Sequence, residues 1–509
     1  MRNPNHPNHT TRINTKPHSA FNLLKRVGFA LLFLAELNGN VCAQDLDSLW
    51  SRQFGGEFRD YPSDCHVLMS GNVVTCGFSE LELFGEYHPY LVTVDELGDL
   101  LWEIHIDSLI YGNSVFTDEL SDGSIIVGVS LPVNAEYGEF RLYAFSPTGS
   151  YLWSESYSTG NLIEMTCGAT DPIGNIFLVG REIPETDIPE NVLVIKTNSQ
   201  GEEIWRNSYD LQADLDWPLG ATADHAGGLV ISGYSVGGPV GRDGFYLRVN
   251  GSGDSLTTAF SRIVGLDQYS SIRRIGHNYL VSASHPDLNG IGASALLLDS
   301  TGQQIWRTAF GSGIGDEEGT DALQITDGRI VMTGYTRSFG FNTPDYSNLA
   351  IWILSSLGDS LDMHYYGGEL AERGIALDYS IQRGTCYVAG RNSSAPASQN
   401  ADYWLLRLDS PTSVVHDPVA PIGENFALSA FPNPFNSTTT LRLNLPIGAR
   451  KVTLTVSNIL GQQVEHREIE VLAPQIEIQL SADNWPSGIY LARAEALNKS
   501  QTTKLVLLK

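Results

Sequence analysis

LYAFSPTGSYLW, residues 142–153, is the stretch that decides the fold: an apolar run, a turn signal ending in glycine, and a second run closing on tryptophan. Two short β-type segments around Pro-Thr-Gly read as a hairpin. The same frame returns as LLLDSTGQQIW at 296–306, and its turn recurs at Asp95–Asp99, 199–201, 251–253 and 356–358. Tryptophan follows at Trp50, Trp102, Trp153, Trp205 and Trp306, at intervals of 52, 51, 52 and 101 residues. The last interval is a double step; Thr257 stands near its midpoint with the frame intact. A fixed period near 50 residues is the signature of a repeat architecture.

A second turn, SDG at 121–123, HAGG at 225–228 and TDG at 326–328, divides each unit into four strand-like segments. Complete units fall at 64–106, 113–157, 163–209, 218–260, 269–310 and 320–366. A seventh, 374–409, has three strands, while SLWSRQF (48–54) is a fourth strand with no unit before it. Adding 48–54 to the last unit closes a ring and removes two loose edges. The expectation is an all-β chain: a seven-bladed β-propeller over 44–410, closed by an N-terminal strand. The tryptophans are expected to cover the gaps between blades as a repeat core, and Thr257 and Asp362 mark altered contacts. The alternative, tryptophans docking a ring-shaped cofactor, suits a repeated aromatic less well. The run from third to fourth strand resembles pyrroloquinoline-quinone-type propeller repeats, and FGG (54–56), YGG (366–368), DGS and DGR resemble bacterial propeller repeats of the SBBP type. This resemblance implies the fold and says little about chemistry, because one fold serves many functions.

Charge is unevenly placed. Residues 1–43 carry +4 and 425–509 carry +2, so of the net −27 the intervening 44–424 carry −33. Such a surface repels phosphate backbones and anionic membranes, and nucleic acid is excluded as a partner.

At the N-terminus, Lys25 and Arg26 precede an apolar run from Val27 to Leu37, with Val41 and Ala43 at the −3 and −1 positions of a cleavage site. Residues 1–43 read as a signal peptide with an atypical extension, and the mature chain is expected to begin near Gln44 without a transmembrane segment. It retains Cys65, Cys76, Cys167 and Cys386. A two-residue turn at Ser70-Gly71 places Cys65 opposite Cys76, where a disulfide is conceivable; buried free thiols fit the spacing of a hydrogen-bonded pair better.

Residues 411–424 (PTSVVHDPVAPIGE) read as a Pro-rich linker. Beyond it, 439–445, 452–456 and 476–480 alternate as half-buried strands of a small sandwich. Residues 425–509 resemble the type A C-terminal sorting domain of the type IX secretion system. The matching motifs are Phe431-Pro-Asn-Pro-Phe-Asn436, Asn458-Ile-Leu-Gly461, Pro486-Ser-Gly-Ile-Tyr490 and Lys504–Lys509. The resemblance places the sorting signal on Pro432, Asn433, Pro434, Gly461, Gly488, Tyr490, Lys504 and Lys509. It implies an immunoglobulin-like sandwich, the type IX machinery as partner, a Gram-negative bacterium, and secretion or attachment to the outer-membrane surface.

No nucleophile elbow, HExxH, phosphate loop or EF-hand loop is present. The histidines, His66 among them, have no metal-ligand spacing. The blade crossings are acidic, with Asp60, Asp214, Asp216, Asp316 and Glu317 as candidate ligands for a hard cation such as calcium; solvated turn carboxylates are the plainer reading. Phe84, Tyr87, Phe339, Phe341 and Tyr346 on the longer loops offer stacking surfaces for a sugar or a protein ligand. The expected function is a secreted or cell-surface binding or interaction module, with no catalytic residue assigned. The alternatives are an extracellular propeller enzyme, hydrolase or quinoprotein-like, and a structural surface protein without a discrete ligand.

Overall fold

The computed structural model describes residues 14–15, 48–81, 85–106, 111–132, 137–184, 189–211, 215–238, 241–261, 265–287, 290–311, 316–339, 346–368, 371–393, 402–409, 427–431, 435–444, 451–458, 462–470, 475–482, 484–496 and 499–507. The chain divides into two compact units, Met1–Thr412 and Ser413–Lys509.

In the first unit the described residues form a β-propeller of seven sheets, each holding four antiparallel strands in simple up-and-down order. The innermost strands are Asp60–Val67, Asn113–Glu119, Leu162–Thr170, Leu215–Ala223, Gln268–Ile275, Glu317–Gln324 and Glu372–Ser380. Each touches the next, and the last touches the first, so they enclose a central channel. Asn14–Thr15 adds a two-residue pairing to the outer strand Leu100–His105. Second and third strands lie between neighbouring blades with both faces covered, so Asn348–Leu354 is buried throughout. Such strands read as continuous apolar runs, whereas outer strands alternate.

Ser48–Phe54 pairs with Asp402–Leu408 as the outer strand of the last blade. Trp404 Nε1 donates to Ser51 Oγ (2.8 Å), and Arg407 Nη1 crosses to the Glu96 carbonyl of the first blade (2.6 Å). The ring is therefore closed by strands more than 350 residues apart in sequence.

The hairpin turns obey one local rule. In the turn after Phe145, Ser150 O accepts from Ser146 N and Ser146 O accepts from Gly149 N, which makes a three-residue loop with Gly149 at φ 79°. That left-handed position favours glycine. Between third and fourth strands an Asp, Asn or Ser opens the loop and accepts backbone N–H groups within it, as Asp95 Oδ1 does from Leu97 and Asp99.

The first hairpin corrects the expected cysteine register. It turns through Met69-Ser70-Gly71, with Leu68 N bonded to Asn72 O (2.8 Å), instead of through two residues. Cys65 then pairs with Thr75 and Cys76 with Asp64. The two thiols point to opposite faces, Cys65 packing with Tyr387 and Tyr403, Cys76 with Leu91 and Ile104. All four cysteines described are free and buried.

The second unit is a two-sheet sandwich. Ala427–Phe431, Thr438–Asn444 and Gln475–Ser481 form one sheet; Gln463–Glu470, Lys451–Asn458, Gly488–Ala496 and Lys499–Leu507 form the other. Between them lie Phe435, Leu441, Leu443, Val452, Leu454, Leu480, Trp485, Tyr490 and Leu505. Alternation along Gly488–Ala496 sends one face into this core and the other to solvent.

Candidate functional site: the central channel

The recurring tryptophans have a defined place. Trp102 Nε1 donates to the Pro147 carbonyl in the outer turn of the next blade (3.0 Å), and a Cβ added to Gly149 would meet the Trp102 ring at 2.8 Å. Trp205 does the same with Gly251 O (2.9 Å) and Gly253, and Trp50 with Glu96 O (2.8 Å) and Gly98. Trp153 lies against Gly201 and Trp306 against Gly358. All five rings are half-buried clasps on the rim, packed against the blade cores instead of within them.

The two lapses have a physical cause. Where Thr257 stands, the Tyr246 hydroxyl donates to Ser300 O (3.2 Å), the second residue of its turn, and Gly302 lies on the Tyr246 ring. Ring and donor come from the third strand instead of the fourth. Asp362 precedes the closed last blade, where no continuous turn joins third and fourth strands.

Every inner strand carries a β-bulge at the same height, its extra residue being Ser63, Val115, Thr166, Leu219, Ser270, Thr320 or Ile375. Bulges re-aim side chains. These seven residues line a channel cavity of about 350 Å³. Four charged residues stand three positions beyond their bulges: His66, Asp118, Arg273 and Asp378.

They form one connected chain. Arg273 Nη2 donates to Asp321 Oδ2 and to the Leu377 carbonyl (both 2.7 Å), with Asp378 Oδ1 at 4.0 Å from its other terminal nitrogen. Asp378 Oδ2 lies 3.3 Å from His66 Nδ1, and Asp118 Oδ1 3.5 Å from His66 Nε2. The Thr170 hydroxyl donates to Asp118 Oδ2, which carries the chain into a further blade. Asp64 completes the set, accepting from the backbone of Cys65 (2.8 Å) and Thr117 (3.0 Å).

The electrostatics follow from depth and neighbours. Burial opposes charge on His66, but the hydrogen bond and charge of Asp378, with Asp118 and Asp64, raise its pKa to about 9. Burial likewise works against Asp378, yet His66 and Arg273 hold its pKa below the usual carboxylate range. Asp64 has only backbone donors close at hand, and burial pushes it up to about 7.

The acidic crossing residues lie at the other end of the inner strands and do not converge. Asp60 is buried, its Oδ2 accepting from Gly56 N (2.8 Å), and burial pushes its pKa up to about 6. Asp216 accepts from Leu211 N (2.7 Å) and from the Ser235 hydroxyl. Glu317 accepts from Thr336 Oγ1 (3.2 Å), and Asp316 accepts from Ile291 N (3.1 Å) beside Arg337. Each staples a loop to its own blade or a neighbour. Asp214 lies outside the described residues, among which no three His, Cys, Asp or Glu side chains gather as a metal site. Tyr87 folds back on Phe78 and Tyr111 (4.9 and 5.4 Å between ring centroids), whereas Phe339 and Tyr346 are exposed. Phe84 and Phe341 lie outside the described residues.

The channel network escaped the sequence reading. Its only signal was a polar residue three positions past five of the seven bulges, His66, Asp118, Thr222, Arg273 and Asp378, and a bulge leaves no mark in sequence. In the sandwich, Tyr490 is buried against Trp485 (5.0 Å between centroids) with its hydroxyl on Pro486 O (2.6 Å). Gly488 has φ 156° and Lys504 is exposed; Pro432, Asn433, Pro434, Gly461 and Lys509 lie outside the described residues.

Residues 429–508 match the family model of the secretion system C-terminal sorting domain. No curated protein matches the chain. Among solved structures it is similar to the Neurospora crassa Pan2 WD40 domain, at 8% identity and a TM-score of 0.45, over 72% of this chain and 98% of that one. It is also similar to a puromycin hydrolase mutant complexed with PGG, at 13% identity and a TM-score of 0.44, over 77% and 61%. A third is the polysaccharide lyase Uly1, at 10% identity and 0.42, over 74% and 94%. Among the described residues no helix is long and apolar enough to cross a membrane. The chain carries a secretion-system sorting domain behind a β-propeller, and that domain directs it through type IX secretion to the cell surface or outside.

Proposed function

We propose that this chain is an exported binding module whose propeller takes a small polar ligand in its central channel. Residues 1–43 are removed on entering the secretory route, and the C-terminal sandwich then engages the type IX machinery. The observation that carries the reading is convergence: five blades place Arg273, Asp378, His66, Asp118 and Thr170 in one hydrogen-bonded and ion-paired chain along a cavity of about 350 Å³. Preformed cavities with a few convergent polar groups are the usual sites of small ligands.

The same network favours binding over catalysis. A general base must be unprotonated near the working pH. His66, clamped between two carboxylates, stays cationic until about pH 9, and Arg273 is committed to Asp321. Within the network Asp64, pushed up to about 7, is the group poised for proton transfer, and it supports the enzyme reading as the runner-up.

The test is a glycan and protein-ligand screen of the purified mature chain, with and without calcium. The reading predicts at least one saturable ligand that protects the inner strands from hydrogen exchange. Protection confined to the outer rim, or no ligand at all, would overturn it.

A further inference from the structure

At the opposite mouth of the channel, where the inner strands begin, Arg373 and Arg391 are directly opposed residues of adjacent strands. Like charges so placed repel each other. Both are half-buried, and neither has a carboxylate partner among the described residues; Arg373 Nε is buried without any hydrogen-bond partner. Several other propeller arginines are matched, as Arg59 is with Glu80, Arg181 with Glu164 and Glu190, and Arg248 with Asp224; Arg242 also stacks on a tyrosine, Tyr234, with its Nε unbonded, but its strand partner is Val236 and not a second arginine. Glu318, the cross-strand neighbour of Tyr335, accepts from Gln268 instead (3.2 Å).

Aromatic faces hold the two guanidiniums. Arg373 Cζ lies 4.0 Å from the Tyr335 ring centroid and Arg391 Cζ 5.1 Å from that of Tyr61. Stacking fixes the planes of the two forks. Burial and the charge of Arg373 together pull the pKa of Arg391 below the ordinary arginine value. Among the described residues, a stretch that carries −33 overall leaves this pair without a carboxylate partner.

We propose that Arg373 and Arg391 form an oxyanion clamp, binding the single carboxylate or sulfate of a small, sugar-sized ligand at this mouth. A guanidinium fork meets such a group through two parallel N–H bonds. Phe339 and Tyr346, 42% and 39% exposed, stand on the loop following the Tyr335 strand and offer apolar faces for the ligand's ring. The acidic surroundings oppose a polyanion, which restricts the ligand to one anionic group. The clamp stands apart from the His66 network and does not depend on what that network holds.

The test is calorimetric titration of the full mature chain at constant ionic strength with sodium sulfate, sodium galacturonate and neutral galactose. Sulfate or galacturonate should bind saturably and galactose should not. The tighter of the two identifies the oxyanion. R391Q should weaken binding at least tenfold, R391K severalfold, and R373Q with R391Q should abolish it. Without added anion, R391Q should melt no lower than the parent, since it relieves repulsion, and sulfate should raise the melting temperature of the parent alone. Binding of neither anion, unchanged binding in the double variant, or a melting temperature of R391Q well below the parent would each overturn the clamp.

Discussion

His66 is the residue on which the channel turns. Its pKa rises from 6.5 to about 9 because carboxylates on two other blades outweigh its burial. A cation whose folded pKa is raised stabilises the fold fully below the unfolded value and loses that contribution as pH rises through the folded value. Asp64 and Glu372, both pushed up to about 7 by burial, act at lower pH: they favour the fold while protonated, and that contribution is gone by about pH 7. The His66 contribution is thus separable. Melting temperatures measured from pH 6 to 10 should fall for the parent between 6.5 and 9, and the difference between parent and H66Q should shrink over the same window. A difference constant across it would mean that His66 is not held as a cation. A second residue-scale expectation concerns the rim. W102A should cost on the order of 2–3 kcal/mol, below the ~3–5 typical of a fully buried tryptophan, because the ring is only half-buried. T257W should gain nothing, because Tyr246 already covers Gly302 and bonds Ser300 O; a chemical denaturation series on both variants decides this.

Among elements, the outer hairpin and the closing strand were legible in sequence for a simple reason. The GxxxW frame lies within a single hairpin, and 48–54 is an outer-strand pattern with no inner strands before it. What failed was register. The three-residue loop moved Cys65 away from Cys76, and the bulge between Pro62 and Asp64 shifted the pairs beyond it; neither feature changes residue composition. The acidic crossings were visible as residue types, but their role as staples needed the partners Gly56 N, Leu211 N and Thr336 Oγ1 to be located. Deleting residues 44–54 should expose the long edge of Asp402–Leu408 and strip Trp50 from Glu96 and Gly98. Light scattering should then report association, since open strand edges recruit other chains; a monomeric deletion variant as stable as its parent would refute the strand's closing role.

For the molecule as a whole, fold and destination could be read from local patterns, whereas the site could not. His66, Asp118, Arg273 and Asp378 span more than 300 residues of sequence, and only ring closure brings them together. The sorting domain carries its message in contiguous motifs, so it was legible where the channel was not. Fusing residues 411–509 to a periplasmic reporter should send the reporter to the surface or medium of a host with type IX secretion; cell fractionation showing it retained in the periplasm would contradict autonomous delivery. If the channel binds a ligand, filling it must block binding. T222W places an indole in the cavity from a residue that takes no part in the His66, Asp378 and Arg273 contacts. Titrating parent and T222W with the tightest ligand from the screen should show saturable binding by the parent and at least a tenfold loss in a variant of unchanged melting temperature. Equal affinity in the two proteins would place binding outside the channel and contradict the account.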